Sequence, residues 1–480
     1  MTMRRLRTWS TLALIAASLL AGCGGGDDPV VPEETRAQDS RTFAPAEPTA
    51  TTFTAMAAAP GDSVDMGTTS RWAGVLGGAP YRVEVPANWN GMLVMYAHGY
   101  AGTGAVVAVQ NPTIRRYLIQ NGYAWAASGY SKNYYDVRAG VEDTNALALE
   151  FNKIATANSR PLAAPSKMYI TGVSMGGHIT GAAIDDEAAS YAVHKVKYNG
   201  AVPMCGVMGD AELFNEFAAM QVTAQALAGQ AAYPTDKFAD IATQLTNTLF
   251  TTFPSKPTAT GAKYLSVVKN LTGGDRPMFD LGIAFGGSFP SAYGTFGSDG
   301  TVTGILNKNV LDTNAFTYTI DGDAAGSSAL NASAQKLTAA ADANRLRTDG
   351  LRWIPKVNGD FKIPVVSIHT LGDLFVPFSM EQVFNKRVAA RGNSGWLVQR
   401  AIRGVSHCDF TVVEMATAFD DMIRWERAGI KPTGDDVVTP ATVAAPTFGC
   451  KFTNNTMGPD ESSTTKALRP ATVANSLPCS

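Results

Sequence analysis

Short, almost wholly apolar runs alternate with stretches of helical periodicity through residues 72–210 and 351–429. The first runs, near Trp72–Leu76 and at Tyr81–Val85, predict an antiparallel strand pair. Met92–Ala97 is apolar throughout and predicts a buried strand, followed by a helix over about 112–121. Tyr123–Ser128 then reads as a strand and Val141–Ala155 as a helix. Met168–Val173 leads into an Ala-rich helix from Gly176 to about Tyr191, and strand Tyr198–Val202 follows. The rhythm resumes with strand Ile363–His369, helix Met380–Arg391, strand Trp396–Ile402 and helix Thr411–Ala428. Apolar strands separated by helices predict an α/β chain with a mostly parallel, doubly wound sheet.

Residues 211–350 interrupt this alternation. Helices are predicted at Glu212–Ala228, Asp236–Phe250 and Ala329–Leu346, around a Gly-, Ser-, Thr- and Phe-rich stretch at 282–304. An insertion here, between the strands before and after it, reads as a cap over a core of residues 63–210 and 351–430. Most of its Met and Phe residues, such as Phe214, Phe217 and Met220, belong to its own packing. Residues 431–480 read as a C-terminal tail with little structure of its own.

Candidate chemistry gathers at the ends of the predicted strands. Gly172-Val173-Ser174-Met175-Gly176-Gly177 follows an apolar strand and opens a helix. A serine hydroxyl needs an adjacent base to act as a nucleophile, and a tight strand-to-helix turn holds it clear of the sheet. Gly-x-Ser-x-Gly alone is a common pattern, so its strand and helix context carries the reading. Asp373 ends the run Ile363–Thr370, at the edge where sites of open α/β sheets gather. His407, in Gly404-Val405-Ser406-His407-Cys408, comes after both. The candidate triad is therefore Ser174, Asp373 and His407. Asp360 and Asp409 are poorer acids, lying before the strand and just past the histidine. His98, His178, His194 and His369 read as packed or surface groups, and no pair has metal-ligand spacing, so neither metal nor cofactor is expected. Tyr130 and Tyr134, in a loop after the strand Tyr123–Ser128, are candidate substrate contacts, and equally candidates for loop packing. Glu142 and Asp143 begin the next helix, where acidic groups favour the dipole.

The order nucleophile, acid, histidine resembles that of an α/β-hydrolase of the secreted bacterial serine esterase type. Ser174-Met175-Gly176-Gly177 and His98-Gly99-Tyr100 resemble cutinase-like polyester hydrolases. Gly372-Asp373-x-x-Val376-Pro377 and Gly404-x-x-His407-Cys408-x-Phe410 look more like larger secreted esterases and peptidases. The resemblance implies an oxyanion hole made by the backbone N–H groups of Tyr100 and Met175. Tannases and feruloyl esterases carry a cysteine directly before the serine, where this chain has Val173. That departure removes a bridge from the residue before the nucleophile to the histidine loop. It also weakens any claim on galloyl or feruloyl esters.

Charge and cysteine content narrow the partners. Net charge is −2 and charged residues make up 17% of the chain, against about a quarter in average proteins. No basic cluster points to nucleic acid, no protein partner is implied, and an uncharged small-molecule or polymer substrate fits better. Arg4, Arg5 and Arg7 precede an apolar stretch, Thr11 to Leu20, that is too short to span a bilayer. It ends in Leu20-Ala21-Gly22-Cys23, which resembles a bacterial lipoprotein signal. By that resemblance residues 1–22 are removed and Cys23 is lipidated, anchoring an exported protein to the cell envelope, at the outer membrane. Residues 23–62 then read as a flexible tether. Without Cys23, four cysteines remain, which allow three pairings. Cys205–Cys408 is favoured because both loops fall at the catalytic edge, leaving Cys450–Cys479 to close the tail. The expected activity is hydrolysis of carboxylic esters, including bulky or polymeric extracellular ones. A serine peptidase shares the same machinery, a diketone C–C hydrolase the same fold, and an inactive binding lipoprotein the same scaffold.

Overall fold

The computed structural model describes residues 40–46, 53–297, 302, 305, 306, 308–476 and 479, all within one compact unit, Thr35–Ser480. The expected signal segment, Cys23 and the first part of the tether lie outside the described residues.

Eight strands form the central sheet: β1 Ser70–Leu76, β2 Ala79–Val85, β3 Met92–Ala97, β4 Ala124–Ser128, β5 Lys167–Val173, β6 Gly200–Met204, β7 Val365–Thr370 and β8 Leu397–Ile402. Their spatial order is β1-β2-β4-β3-β5-β6-β7-β8. Strand β2 runs antiparallel to both its neighbours. Every pairing from β4 to β8 is parallel. This is the sheet of an α/β-hydrolase fold, mixed but mostly parallel, with inserted helical regions. Successive residues of β3 feed opposite layers. Leu93, Met95 and Ala97 pack with one cluster, and Met92, Val94 and Tyr96 with another. Burial on both faces explains why the strand sequences show no polar alternation.

Helices α1 Arg115–Gln120, α2 Val137–Ala157 and α3 Met175–Ala183 join the first strands, and α4 Asp186–Tyr191 follows. The sequence predicts one helix through to Tyr191, but the chain breaks at Ile184–Asp185. The Asp185 carboxylate turns aside there to accept the amides of Gly359 and Asp360.

Residues 211–350 form the helices α5 Glu212–Leu227, α6 Phe238–Leu249, α7 Ala259–Leu271, α8 Phe279–Ala284, α9 Ser288–Tyr293 and α10 Ala324–Ser333. Phe214, Phe217 and Met220 of α5 join the main core. The region expected to be a helix at Ala329–Leu346 is helical only to Ser333. Beyond it the backbone is taken by other segments: Leu337 accepts from the Thr313 amide, and the Ala340 amide donates to Asn309. After β7 come α11 Ser379–Ala390, then β8 and α12 Val412–Ala428. Thr411 and Glu414 close a reciprocal capping box on α12.

Both flanking segments are more ordered than the sequence suggests. Part of the predicted tether docks on the core. Ala44–Pro45 pairs with Val106–Val107, and Phe53 is buried edge-on to Trp125 beneath the guanidinium of Arg115. Aromatic burial and a cation–π contact outweigh the low-complexity composition there. The tail carries α13 Pro440–Val443 and α14 Ser463–Asn475. Arg469 of α14 is fully buried and pairs with Glu414 at 2.9 Å. Among the described residues no helix is long and apolar enough to cross a membrane.

Candidate active site

Strand β5 ends at Val173 and α3 begins at Met175, so Ser174 alone makes the turn. Its φ of 59° and ψ of −124° are a strained conformation for a residue with a Cβ. The turn is held by its neighbours: the Ser174 amide donates to the Met204 carbonyl at 3.0 Å. A Cβ on Gly177 would lie 2.6 Å from the Gly206 Cα. Glycine there lets α3 seat directly against the backbone that follows β6.

His407 Nε2 lies 2.7 Å from the Ser174 hydroxyl, and His407 Nδ1 lies 2.6 Å from Asp373 Oδ2. An ionised carboxylate only accepts, so Nδ1 carries the proton and Nε2 is left to accept from the serine. Asp373 is fully buried, and its other oxygen accepts the amides of Phe375 and Val376 at 2.9 and 3.0 Å. Those bonds orient the carboxylate. Hydroxyl, imidazole and carboxylate therefore lie in one relay, joining three segments far apart in the chain.

Behind Asp373 lies a set of buried polar groups that sequence reasoning assigned no part in the site. His369 Nε2 donates to the Val376 carbonyl at 2.7 Å, and its ring lies 3.9 Å from Asp373 Oδ2 and 3.4 Å from Glu381 Oε1. Burial works against a charged His369 ring, but Glu381 and Asp373 outweigh it and raise its pKa. Arg276 donates to the Leu371 carbonyl; burial pulls its pKa down to about 10, against the pull of Asp373 and Glu216. Only the position of His369 four residues before Asp373 hints at this in the sequence.

The turn after β3 abuts the serine: a Cβ on Gly99 would lie 3.2 Å from the Ser174 Cβ and 3.7 Å from its Oγ. That proximity sets the Gly99 turn against the serine. Beneath the turn, the Tyr130 ring stacks on His98 at 4.1 Å, and its hydroxyl donates to the His98 carbonyl at 3.0 Å. Burial lowers the His98 pKa to about 4, so the ring is neutral at ordinary pH. Tyr130 is 2% exposed and supports the turn from below. Tyr134 packs edge-on to Phe43 and under the Arg41 guanidinium. Glu142 is engaged by the amides of Val193 and His194, and Asp143, raised by burial to about 6, accepts the Ser131 amide.

Cys205, at the end of β6, forms a disulfide with Cys408, and Cys450 forms one with Cys479. The bridge to the histidine loop thus starts from the strand beside the serine strand, not from the residue before Ser174. Cys205, Cys408 and His407 lie close enough together to suggest a metal site. Both sulfurs are committed to the disulfide, which leaves no thiolate to ligate.

A cavity of about 700 Å³ opens beside His407. Phe285, Ser288 and Ser291 of the cap region, Phe375 after β7, Ser406, and Ala467 and Leu468 of α14 contribute to its lining. Phe375 stands edge-on to the His407 ring at 5.5 Å and stacks on Phe217 of α5 at 5.8 Å. Tyr130 and Tyr134 are not among its lining residues.

No protein-family profile matches the chain. It is 28% identical to an o-phthalyl amidase of Xanthobacter agilis over 68 residues, which is 14% of this chain and 15% of that protein. Among solved structures it is similar to feruloyl esterase B from Aspergillus oryzae, with 16% identity and a TM-score of 0.43 over 79% of this chain and 85% of that one. It is also similar to another esterase from Aspergillus oryzae, at 12% identity and a TM-score of 0.44, over 76% and 81% of the two chains.

Proposed function

We propose that this chain is a serine hydrolase that cleaves carboxylic esters through an acyl-enzyme on Ser174. The observation that carries this reading is the relay from Ser174 through His407 to Asp373, with spacings of 2.7 and 2.6 Å. His407 takes the hydroxyl proton as Oγ bonds to the ester carbonyl carbon. The backbone amides of Tyr100 and Met175 hold the oxyanion of the tetrahedral intermediate, where one donor is worth about 3 kcal/mol. The intermediate collapses, the carbon–alkoxide bond breaks, and His407 gives its proton to the departing alcohol. Water then attacks the acyl carbon with His407 again as base, releasing the acid and restoring Ser174. Asp373 orients the ring and stabilises its charged form without taking the proton. The disulfides fit an exported enzyme. The Cys23 motif fits a lipid-anchored one, acting on bulky or polymeric extracellular esters.

The test is turnover of p-nitrophenyl esters of increasing acyl length by the disulfide-intact protein and its Ser174→Ala variant. Turnover by the first and none above background by the second is the expected result. A folded wild-type protein that hydrolyses none of them refutes the ester reading.

A further inference from the structure

We infer that the cavity beside His407 is the leaving-group subsite, that it takes a bulky, uncharged alcohol, and that the tail helix α14 forms the wall that selects it. The inference rests on the ester-hydrolase reading above and adds the class of alcohol and the segment that chooses it.

The side of the serine on which the cavity lies assigns its occupant. His407 must hand its proton to the departing oxygen, so the alcohol half of the ester leaves along the imidazole flank of Ser174. The Gly99 turn lies against the serine, and the ester reading gives the carbonyl oxygen to the amides of Tyr100 and Met175. Among the described residues the lining of the cavity includes His407 and the residue before it, and none of Ser174, Gly99, Tyr100 and Met175. The space is open to solvent, and its volume of about 700 Å³ leaves room for an alcohol of many heavy atoms.

Its chemistry assigns the class. Phe285, Phe375 and Leu468 supply apolar surface, and Ser288, Ser291 and Ser463 supply hydroxyls. Among the described lining residues His407 is the one ionisable group, with no Asp, Glu, Lys or Arg beside it. A charged leaving group finds no ion partner among the described lining residues, whereas an apolar one bearing a few hydrogen-bonding groups finds both apolar surface and hydroxyls.

The tail helix is built for this place. Ser463, Thr464, Ala467 and Leu468 recur at helical spacing and form the face turned to the cavity. Thr465, Arg469 and Thr472 form the buried face. Arg469 clamps that face to the histidine loop: it bonds both oxygens of Glu414 and donates to the Asp409 carbonyl, two residues from His407. The Cys450–Cys479 disulfide closes the segment that contains the helix. A wall fixed so close to the imidazole meets whatever departs from it.

The test compares esters with one acyl group and alcohols of rising size (ethyl, benzyl, 2-naphthylmethyl), on wild type and Ala467→Trp. Ala467 is exposed, so the indole fills space in the cavity without disturbing the core. The expected result is a tenfold or greater fall in kcat/KM for the naphthylmethyl ester and less than a twofold change for the ethyl ester, at an unchanged melting temperature. An acyl-length series with ethanol as the constant alcohol should be unaffected. In wild type, an ester whose alcohol carries a carboxylate should be cleaved at least tenfold less efficiently than its primary-amide counterpart. Equal effects of Ala467→Trp on all alcohols, or an effect on the acyl series instead, overturn the assignment of this cavity. So does equal use of the carboxylate and amide partners. No ester turnover by wild type at all refutes the underlying reading instead.

Discussion

Cys205 is covalently joined to Cys408, so the residue beside His407 is tied to the end of the strand next to the one that presents Ser174. Both cysteines have positive φ, 43° and 54°, a backbone state that non-glycine residues rarely adopt. The bridge sets the distance between the loop that carries the imidazole and the sheet that carries the hydroxyl. Replacing both cysteines by serine should lower kcat while leaving KM close to wild type, because alignment is lost and the cavity is not. The same change should cost about 2–5 kcal/mol of stability. Steady-state kinetics and thermal unfolding of the double variant would check both.

Gly99 touches the serine without taking part in the relay. In Gly99→Ala the new methyl meets the Ser174 Cβ at 3.2 Å and the Val173 carbonyl at 3.5 Å. The turn or the serine must give by a few tenths of an ångström, in a site where small misplacements cost rate. We expect roughly a 10- to 100-fold loss in kcat/KM and little change in unfolding temperature. Activity within twofold of wild type would show that the turn has slack.

Glu216 is a buried carboxyl on the inserted helix α5, where it accepts from the Ser379 hydroxyl at 2.8 Å. Burial raises its pKa from 4.5 to about 8. Since the folded state holds this proton more tightly than the unfolded one, its contribution is full below pH 4.5 and is lost as pH rises through about 8. Glu216→Gln should therefore stabilise the protein at pH 8 relative to wild type and have less effect at pH 5. Melting temperatures across that range would show the two curves diverging as pH rises. Parallel curves would mean that Glu216 is ionised throughout, paired with the nearby guanidinium of Arg276.

His98 works in the opposite sense. Its buried ring has a pKa lowered from 6.5 to about 4, so the unfolded chain binds its proton first as pH falls. Stability from this group is present above pH 6.5 and is lost as pH falls toward 4, on the order of 3 kcal/mol in all. His98→Asn should flatten the acid limb of the stability curve between pH 6.5 and 4.

Arg469→Met removes the positive member of a buried pair and leaves the Glu414 carboxylate uncompensated. A loss of about 3–5 kcal/mol is expected. Glu414→Gln in the same background should recover part of it, measured by denaturant unfolding.

The elbow was legible in the sequence because all its determinants are local: an apolar strand, a serine, and glycines where neighbouring backbones press close. The parallel strands were legible for a related reason, since strands buried on both faces are written as unbroken apolar runs. Helix lengths were harder wherever a distant group competes for the backbone. Asp185 leaves the helix after Ser174 to bind Gly359 and Asp360, and the Ala-rich stretch past Ser333 gives its backbone bonds to residues 309–313. Helix Ala259–Leu271 went unread, although Thr258 caps it and Tyr264, Val267 and Val268 make its buried face. The support behind Asp373 and the clamp between Arg469 and Glu414 were illegible for a different reason. Each joins residues whose kinship is spatial, and an arginine in a polar tail gives no sign that its carboxylate partner lies 55 positions earlier.

The tail also divides the molecule's labour. The relay is built wholly from the sheet and its loops, whereas one wall of the cavity belongs to a segment appended after them and held by a disulfide, by Arg469 and by bonds such as those of Val412 to Glu461 and Thr465 to Phe410. Such a segment is an interchangeable part. Variants that remodel residues 463–468 can be screened for new alcohol preferences against an unaltered reaction centre, and sequences that diverge there need not have changed their chemistry.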